Sequence, residues 1–222
     1  MLTLVIGNKN YSSWSLRPWI AMTAAGIPFA ERLVRFETPE FGREVGATSG
    51  NAKVPLLIDG AIHVWESLAI LEYLAERFPA AGLWPADAAA RAHARAIASE
   101  MHAGFAALRS HLPMNIARKV IARPLTPDVA ANLARIEAMW ADCRARHGGP
   151  FLFGARFGAA DAMYAPLVSR FHTYDVAVAP ATRAYMEAVM ALPAWRQWAA
   201  AAVEEPWVVA EDEVDWPQVH RA

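Results

Sequence analysis

A mixed α/β half followed by an all-helical half is the fold class this sequence predicts. Three observations carry it. Residues 2–36 read as strand, helix and strand, and residues 54–77 as a short hairpin running into a second helix. A break at 79–85, holding Pro79, Gly82 and Pro85, separates two differently composed segments. Beyond that break the chain offers helical periodicity and no convincing pair of strands.

The elements follow from local pattern. Residues 2–6 alternate loosely and predict a buried strand, and Asn8-Lys9-Asn10 a polar loop. From Ser15 to Ala25, Leu16, Trp19, Ile20, Met22 and Thr23 suit one helix face, which Gly26 ends. Pro18 fits that helix only if it begins near Arg17 or has an irregular first turn. Phe29 to Phe36 predicts a second strand, and 38–52, with Pro39, Gly42, Gly46 and Gly50, a loop with a short helix. Strands near 54–58 and 61–64 flank the turn Asp59-Gly60. The helix at 67–77 puts Leu68, Leu71, Leu74 and Phe78 on one side, with Glu72, Glu76 and Arg77 mostly opposite. In the second half, an alanine-rich helix at 87–111 stops before Pro113, and another at 127–146 ends at Gly148-Gly149-Pro150. Further helices begin after Gly158, span about 181–191, and run from Pro193 to Val203. The two domains are therefore expected at 1–80 and 86–222.

Bulk composition narrows the function classes. The 222 residues are 55% hydrophobic and 19% charged, enough for a sizeable core. A formal net charge of -1 and the lack of a basic stripe argue against nucleic acid as a partner. The single cysteine, Cys143, excludes an intramolecular disulfide and fits a reducing compartment. The first residues carry no basic, long apolar leader, and no apolar run approaches the ~20 residues of a membrane span. A cytoplasmic protein is expected. The seven histidines show no HExxH or HxH spacing, and no P-loop or GxGxxG is present, so no metal or nucleotide site is expected.

Two places could carry chemistry. Tyr11-Ser12-Ser13-Trp14-Ser15-Leu16-Arg17 lies between the first strand and the first helix, where strand ends open into a crevice. A hydroxyl there can donate to a bound anion such as a thiolate and so lower a thiol's pKa, or it can simply cap the helix. The second place is Val54-Pro55 followed twelve residues later by Ser67, which with Glu66 opens a helix. A helix start is suited to a carboxylate, because unpaired N–H groups and the positive end of the dipole meet there. Glu66 and Ser67 also fit a purely structural role as a first-turn acid and a cap.

These residues together resemble the glutathione transferase family, over nearly the whole chain and most specifically in residues 1–80. The resemblance implies a thioredoxin-like βαβ-ββα domain with a mixed sheet, an all-α domain, and glutathione as co-substrate without a metal. Zeta- and tau-like members carry a serine five residues before an arginine of the first helix, as Ser12 stands before Arg17. By that match Ser12 is the catalytic hydroxyl, with Ser13, Ser15 and Tyr11 as alternatives. The zeta pattern has a Ser-Ser-Cys-Ser run, and here Trp14 replaces its cysteine. The resemblance further implies a cis Val54-Pro55 bond whose Val54 backbone pairs with the cysteinyl part of glutathione. Ser67 would hold the γ-glutamyl carboxylate, Glu66 would face the γ-glutamyl ammonium, and Lys53 is a candidate for the glycyl carboxylate.

In the helical half, family members usually have Ser or Thr where Gly158 stands, with aspartate three on, as Asp161 is. Asp161 is expected to serve folding. Met101, Phe105 and Arg109 share a helix face that lines the hydrophobic pocket in the family, although helix core is their ordinary role. Trp14 and Trp207 could border that pocket, and Cys143 reads as packing. The expected activity is conjugation of glutathione to a small hydrophobic electrophile by a homodimer. The alternatives are glutathione-dependent isomerisation of a maleylacetoacetate-like diacid, with Arg17 or Arg109 for the second carboxylate, and a non-catalytic binding protein. A thiol–disulfide reductase ranks last, because position 12 is not cysteine.

Overall fold

The computed structural model describes residues 1–47 and 51–216. Four strands, β1 (Leu2–Ile6), β2 (Phe29–Leu33), β3 (Leu56–Asp59) and β4 (Ile62–Trp65), form one sheet in the order β2-β1-β3-β4. β1 pairs parallel with β2 and antiparallel with β3, and β3 pairs antiparallel with β4. The sheet is thus mixed, with α1 (Ser13–Ala24), α2 (Pro39–Gly46) and α3 (Ser67–Arg77) between and after its strands. This is the thioredoxin-like βαβ-ββα order. The rest of the expected short helix and loop at 38–52 includes residues 48–50, which lie outside the described residues.

The inner strands β1 and β3 send buried side chains to both faces of the sheet by alternation, whereas β2 and β4 contain no buried residue. Leu2, Leu4 and Ile6 of β1 and Leu57 of β3 join the main core with α1 and α3. Val5 and Leu56 point the other way, into a smaller cluster with Val34 and with Val45 of α2. The main core continues without interruption into the second half. There the helices are α4 (Ala88–Ala103), α5 (Ala106–His111), α6 (Pro127–His147), α7 (Ala159–Thr173), α8 (Pro180–Met190) and α9 (Pro193–Glu204). α7 is the central post: apart from His172, every residue in it is buried. It packs on α1 of the first half and α4 of the second.

Two expectations are corrected. The helix foreseen at 87–111 is two helices, broken at Gly104 and Phe105. Gly104 is needed there because a β-carbon would lie 2.7 Å from the Glu100 carbonyl oxygen. Phe105 follows in a left-handed conformation with φ 59°. The break re-aims α5 and decides where Arg109 points. Secondly, α1 begins at Ser13, so Pro18 lies inside a regular helix rather than near its start. A proline there has no N–H for the carbonyl four residues back, that of Trp14. That oxygen instead accepts the Ser67 hydroxyl at 2.8 Å. A helix defect in α1 is thereby repaired from the first residue of α3.

Gly158 at the head of α7 also has a tertiary reason. A β-carbon would come within 2.9 Å of the Leu83 carbonyl oxygen, the acceptor for the Ala159 N–H at 2.8 Å. Asp161 then holds the turn, accepting from Gly158 N at 2.9 Å, Leu152 N at 3.0 Å and the Tyr185 hydroxyl at 3.1 Å. It is structural, as its position suggested. Cys143 is fully buried, and burial raises its thiol to a pKa of about 12, so it is packing. Among the described residues no helix is long and apolar enough to cross a membrane.

Candidate active site

The β1–α1 loop is held from three sides. Asn8 accepts the N–H groups of Tyr11 and Ser12 on its carbonyl, at 3.2 and 2.7 Å. Asn10 is buried and bonds to Asn115 Oδ1 through Nδ2 at 3.1 Å, while its own Oδ1 accepts from Ala117 N at 2.8 Å. Glu205 accepts the N–H groups of Lys9 and Asn10 at 2.7 and 3.2 Å. The loop is therefore rigid before any ligand arrives, which is what a positioned hydroxyl requires.

Ser12 occupies the N-cap position of α1 but makes no side-chain cap hydrogen bond. Its hydroxyl sits 2.7 Å from Ser15 Oγ, which also accepts the Gly7 N–H at 3.1 Å. Ser15 is fully buried and serves as a brace. Because its second lone pair and its proton remain available, Ser15 can donate to Ser12 and leave the Ser12 proton for another acceptor. Ser12 and Ser13 line a cleft of about 740 Å³ between the two halves. Its wall includes Trp14, Lys53, Val54, Arg109, Arg170 and Asp212. Tyr11 also reaches the cleft, but its hydroxyl donates to Glu213 Oε1 at 2.8 Å, and burial together with that carboxylate raises it to about 12. Of the four hydroxyls considered, Ser12 and Ser13 remain at the wall, and Ser12 bonds to a second hydroxyl, that of Ser15, with which it can exchange donor and acceptor roles.

A smaller pocket of about 260 Å³ adjoins the cleft and shares Trp14, Lys53, Val54 and Arg109 with it. Pro55, Glu66, Asn51 and His102 complete this pocket. The Val54-Pro55 bond is cis, and Val54 stands two residues before the β3 ladder begins at Leu56. Glu66 is held at φ 69°, an uncommon backbone conformation for a residue with a side chain and one that concentrates at ligand sites. Its carboxylate accepts from Asn51 Nδ2 at 3.0 Å and lies 3.7 Å from His102 Nε2 of α4. His102 Nδ1 is buried with no partner among the described residues. An orphaned donor or acceptor beside a carboxylate, an amine and a helix start fits a zwitterionic, peptide-like ligand.

Ser67 is placed differently from expectation. It is fully buried and does not line either pocket; its hydroxyl is spent on the Trp14 carbonyl. Trp14, where a zeta-type cysteine would stand, packs under two guanidiniums, Arg17 at 3.9 Å and Arg109 at 4.7 Å, with the His102 ring edge-on at 5.2 Å. Arg17 itself is not a cleft residue. It is fully buried, donates through Nε to the Met163 carbonyl of α7 at 2.9 Å, and has its Nη2 unpartnered among the described residues. Burial, then the nearby Arg170 and Arg109 charges, pull its pKa well below the usual value. It ties α1 to α7 and adds positive potential behind Trp14.

Of the expected pocket residues, Arg109 lines the cleft, while Met101 and Phe105 are core. Trp207 stacks under Arg35 at 4.6 Å and is not on the cleft wall. Four contributors escaped sequence reasoning: His102, Asn51, Arg170 and Asp212. Arg170 left a readable trace, the lone charged residue in the mostly apolar stretch Ala162–Phe171. Its Nε donates to the Leu112 carbonyl at 2.7 Å and Nη1 to that of Pro166 at 3.3 Å. Among the described residues no group of three histidines, cysteines or carboxylates could hold a metal ion.

A thioredoxin-like half bearing a serine at the first helix, a cis-proline loop and a helix start, packed on an all-helical half, defines the glutathione transferase class of protein. Family models agree. "Glutathione S-transferase, N-terminal domain" matches residues 11–77 and "Glutathione S-transferase, C-terminal domain" matches 88–201. The chain belongs to the glutathione S-transferase family. Its relatives include a probable maleylacetoacetate isomerase of Caenorhabditis elegans, 29% identical over 177 residues that cover 78% of this chain and 79% of the relative. Among solved structures it is similar to a maleyl pyruvate isomerase described as a bacterial zeta-class glutathione S-transferase, at 26% identity and TM-score 0.71, covering 93% of this chain and 100% of that one. A glutathione transferase homologue from Burkholderia, solved with bound glutathione, shares the fold at 23% identity and TM-score 0.68, covering 90% of this chain and 97% of that one.

Proposed function

We propose that this chain joins glutathione to small hydrophobic electrophiles, with Ser12 stabilising the reacting thiolate. The observation that carries the reading is the Ser12 hydroxyl: it stands at the cleft wall, declines the capping role open to it, and is braced by Ser15. Residues 1–80 would form the glutathione-binding domain and 86–222 the domain that holds the electrophile. Glutathione supplies the nucleophilic sulfur. Val54 offers backbone groups to a peptide-like ligand as in strand addition. Glu66 faces the γ-glutamyl ammonium, and the N–H groups at the start of α3, with Ser67 at their head, receive the γ-glutamyl carboxylate. Lys53 takes the glycyl carboxylate. Ser12 donates to the sulfur and holds it as thiolate, with the α1 N-terminus adding favourable potential. The sulfur then forms a bond to the electrophilic carbon, and the leaving group departs with its electron pair. Positioning of the two reactants contributes the rest of the acceleration. The reading includes a homodimer in the cytoplasm; the buried, reduced Cys143 is consistent with a reducing compartment.

Titrating the ultraviolet thiolate band of bound glutathione in the wild type and in Ser12→Ala tests this. The bound thiol is expected to ionise well below the free value of about 8.5, and the substitution to return it toward that value with a roughly tenfold to hundredfold loss of conjugation rate. Glutathione that binds without any thiolate forming would reduce the protein to a binding module.

A second reading has its own observation. Arg109 and Arg170 both line the cleft, a pair of cations suited to a second carboxylate. That favours glutathione-dependent cis–trans isomerisation of a maleylacetoacetate-like diacid, the reaction named for the nematode relative. Conjugation of aryl halides with no isomerisation of such a diacid would remove it.

A further inference from the structure

The cleft carries its own counter-charge opposite the two arginines. After α9 the chain forms a short 3-10 turn, Ala210–Asp212, that places Glu211 and Asp212 on the cleft wall. This segment is pinned. Glu213 accepts from the Tyr11 hydroxyl at 2.8 Å and Asn115 Nδ2 at 2.7 Å, and pairs with Arg118. Upstream, Val209 is buried and accepts the Asp212 N–H at 3.1 Å. Trp216 packs edge-on against His111 and Tyr174, at 5.3 Å from each. Arg170 is equally fixed by its two carbonyl acceptors, and Arg109 by its stacking on Trp14.

We propose that Asp212 is a specificity-determining residue: its carboxylate offsets Arg170 on the cleft wall that both share with Arg109, and so selects neutral electrophiles over carboxylated ones. This deepens the transferase reading and rests on it. On the cleft wall Glu211 and Asp212 offset two of the three cations Lys53, Arg109 and Arg170. A substrate carboxylate that approaches Arg170 meets the Asp212 charge on the same wall. Repulsion between like charges in a partly desolvated cleft opposes it. The same residue bears on the choice between the two reactions considered above, because a diacid needs the cationic wall that Asp212 partly offsets. Asp212 interacts with Arg170 of α7, with Tyr174 just after it, and with Glu211 and Glu213 of its own segment; Arg109 of α5 and Tyr11 of the β1–α1 loop share the cleft wall with it. Burial, against the pull of Arg170, raises its carboxyl to a pKa of about 6, so the neutralising charge can be removed at mildly acidic pH.

Ethacrynic acid and its methyl ester form a matched probe pair. In both, the glutathione sulfur bonds to the terminal alkene carbon, the π electrons move to the adjacent carbon, and water supplies its proton; only the remote carboxylate differs. The wild type is expected to prefer the ester in kcat/KM. Asp212→Asn should raise the acid-to-ester ratio roughly tenfold, the effect of removing one like charge at close range, and Asp212→Glu should restore ester preference. In the wild type itself the ratio should rise as pH falls through about 6, since thiolate loss affects both compounds equally. This arm needs no variant to fold. A ratio that is flat in pH and unchanged in Asp212→Asn overturns the proposal. Tryptophan-fluorescence titration of both compounds separates it from the reaction it rests on. Charge-selective binding without turnover keeps Asp212 and rejects the transferase, whereas ester turnover with no effect of Asp212→Asn does the reverse.

Discussion

Ser12 and Ser15 divide a task that one serine could not perform. A hydroxyl that both caps a helix and holds a thiolate would have to give up one partner. Here the cap is left unmade, and Ser15 orients Ser12 from behind while satisfying the buried Gly7 N–H. Ser15→Ala should therefore act twice. It leaves a buried N–H without an acceptor, lowering stability by about 1–3 kcal/mol, and it frees the Ser12 rotor, raising the pKa of bound glutathione part of the way that Ser12→Ala does. Urea denaturation and the thiolate titration measure the two effects. Lost stability with an unchanged thiol pKa would show that Ser15 is structural alone.

Between helices, the link from Ser67 to the Trp14 carbonyl explains a proline that propensity alone disfavours. Pro18 removes one donor from α1, and Ser67 at the head of α3 supplies another at 2.8 Å. The residue expected to grip the ligand with its hydroxyl instead joins the loop that carries Ser12 to the helix start beside Glu66. Ser67→Ala should destabilise by about 1–3 kcal/mol, because the Trp14 oxygen loses its partner in a buried place. Pro18→Ala in that background should recover part of the loss by restoring an N–H to α1, and a double-mutant cycle by chemical denaturation reads the coupling. Additive losses would disprove the shared acceptor.

Across the complete chain, the two halves are one cohesive core. The main hydrophobic cluster runs from β1 through α1 to α7 and on to α9, and Asp161 anchors α7 within it. Burial raises the Asp161 carboxyl to about 6 despite its three hydrogen-bond donors. Its folded pKa lies above the unfolded carboxyl value near 3.8, so the folded state binds more protons in that interval. The group's contribution to stability is thus greatest below about pH 4 and declines as pH rises through 6. Asp161→Asn should remove this part of the pH dependence, seen as a flatter slope of unfolding free energy between pH 4 and 6.5. An unchanged slope would assign the dependence to other carboxyls. The small pocket beside Glu66, the braced Ser12 and the cleft arginines all sit where this core opens between the halves.

Much of this was legible beforehand. The strand alternation, the hairpin around Asp59-Gly60, the break at 79–85 and the Ser12, Val54-Pro55 and Glu66-Ser67 positions are local patterns, set by spacing and turn chemistry within a few residues. Which hydroxyl faces the cleft is not local. It depends on Gly7 reaching Ser15 and on Glu213, more than two hundred residues away in sequence, taking Tyr11. The split at Gly104–Phe105, which directs Arg109, arises from a close approach to the Glu100 carbonyl that helix propensity does not record. Arg17, Arg170 and Asp212 are ordinary charged residues in sequence. Their roles, buried tie, cleft cation and counter-charge, come from where the folded chain excludes water and brings opposite charges together, and only packing in three dimensions decides that.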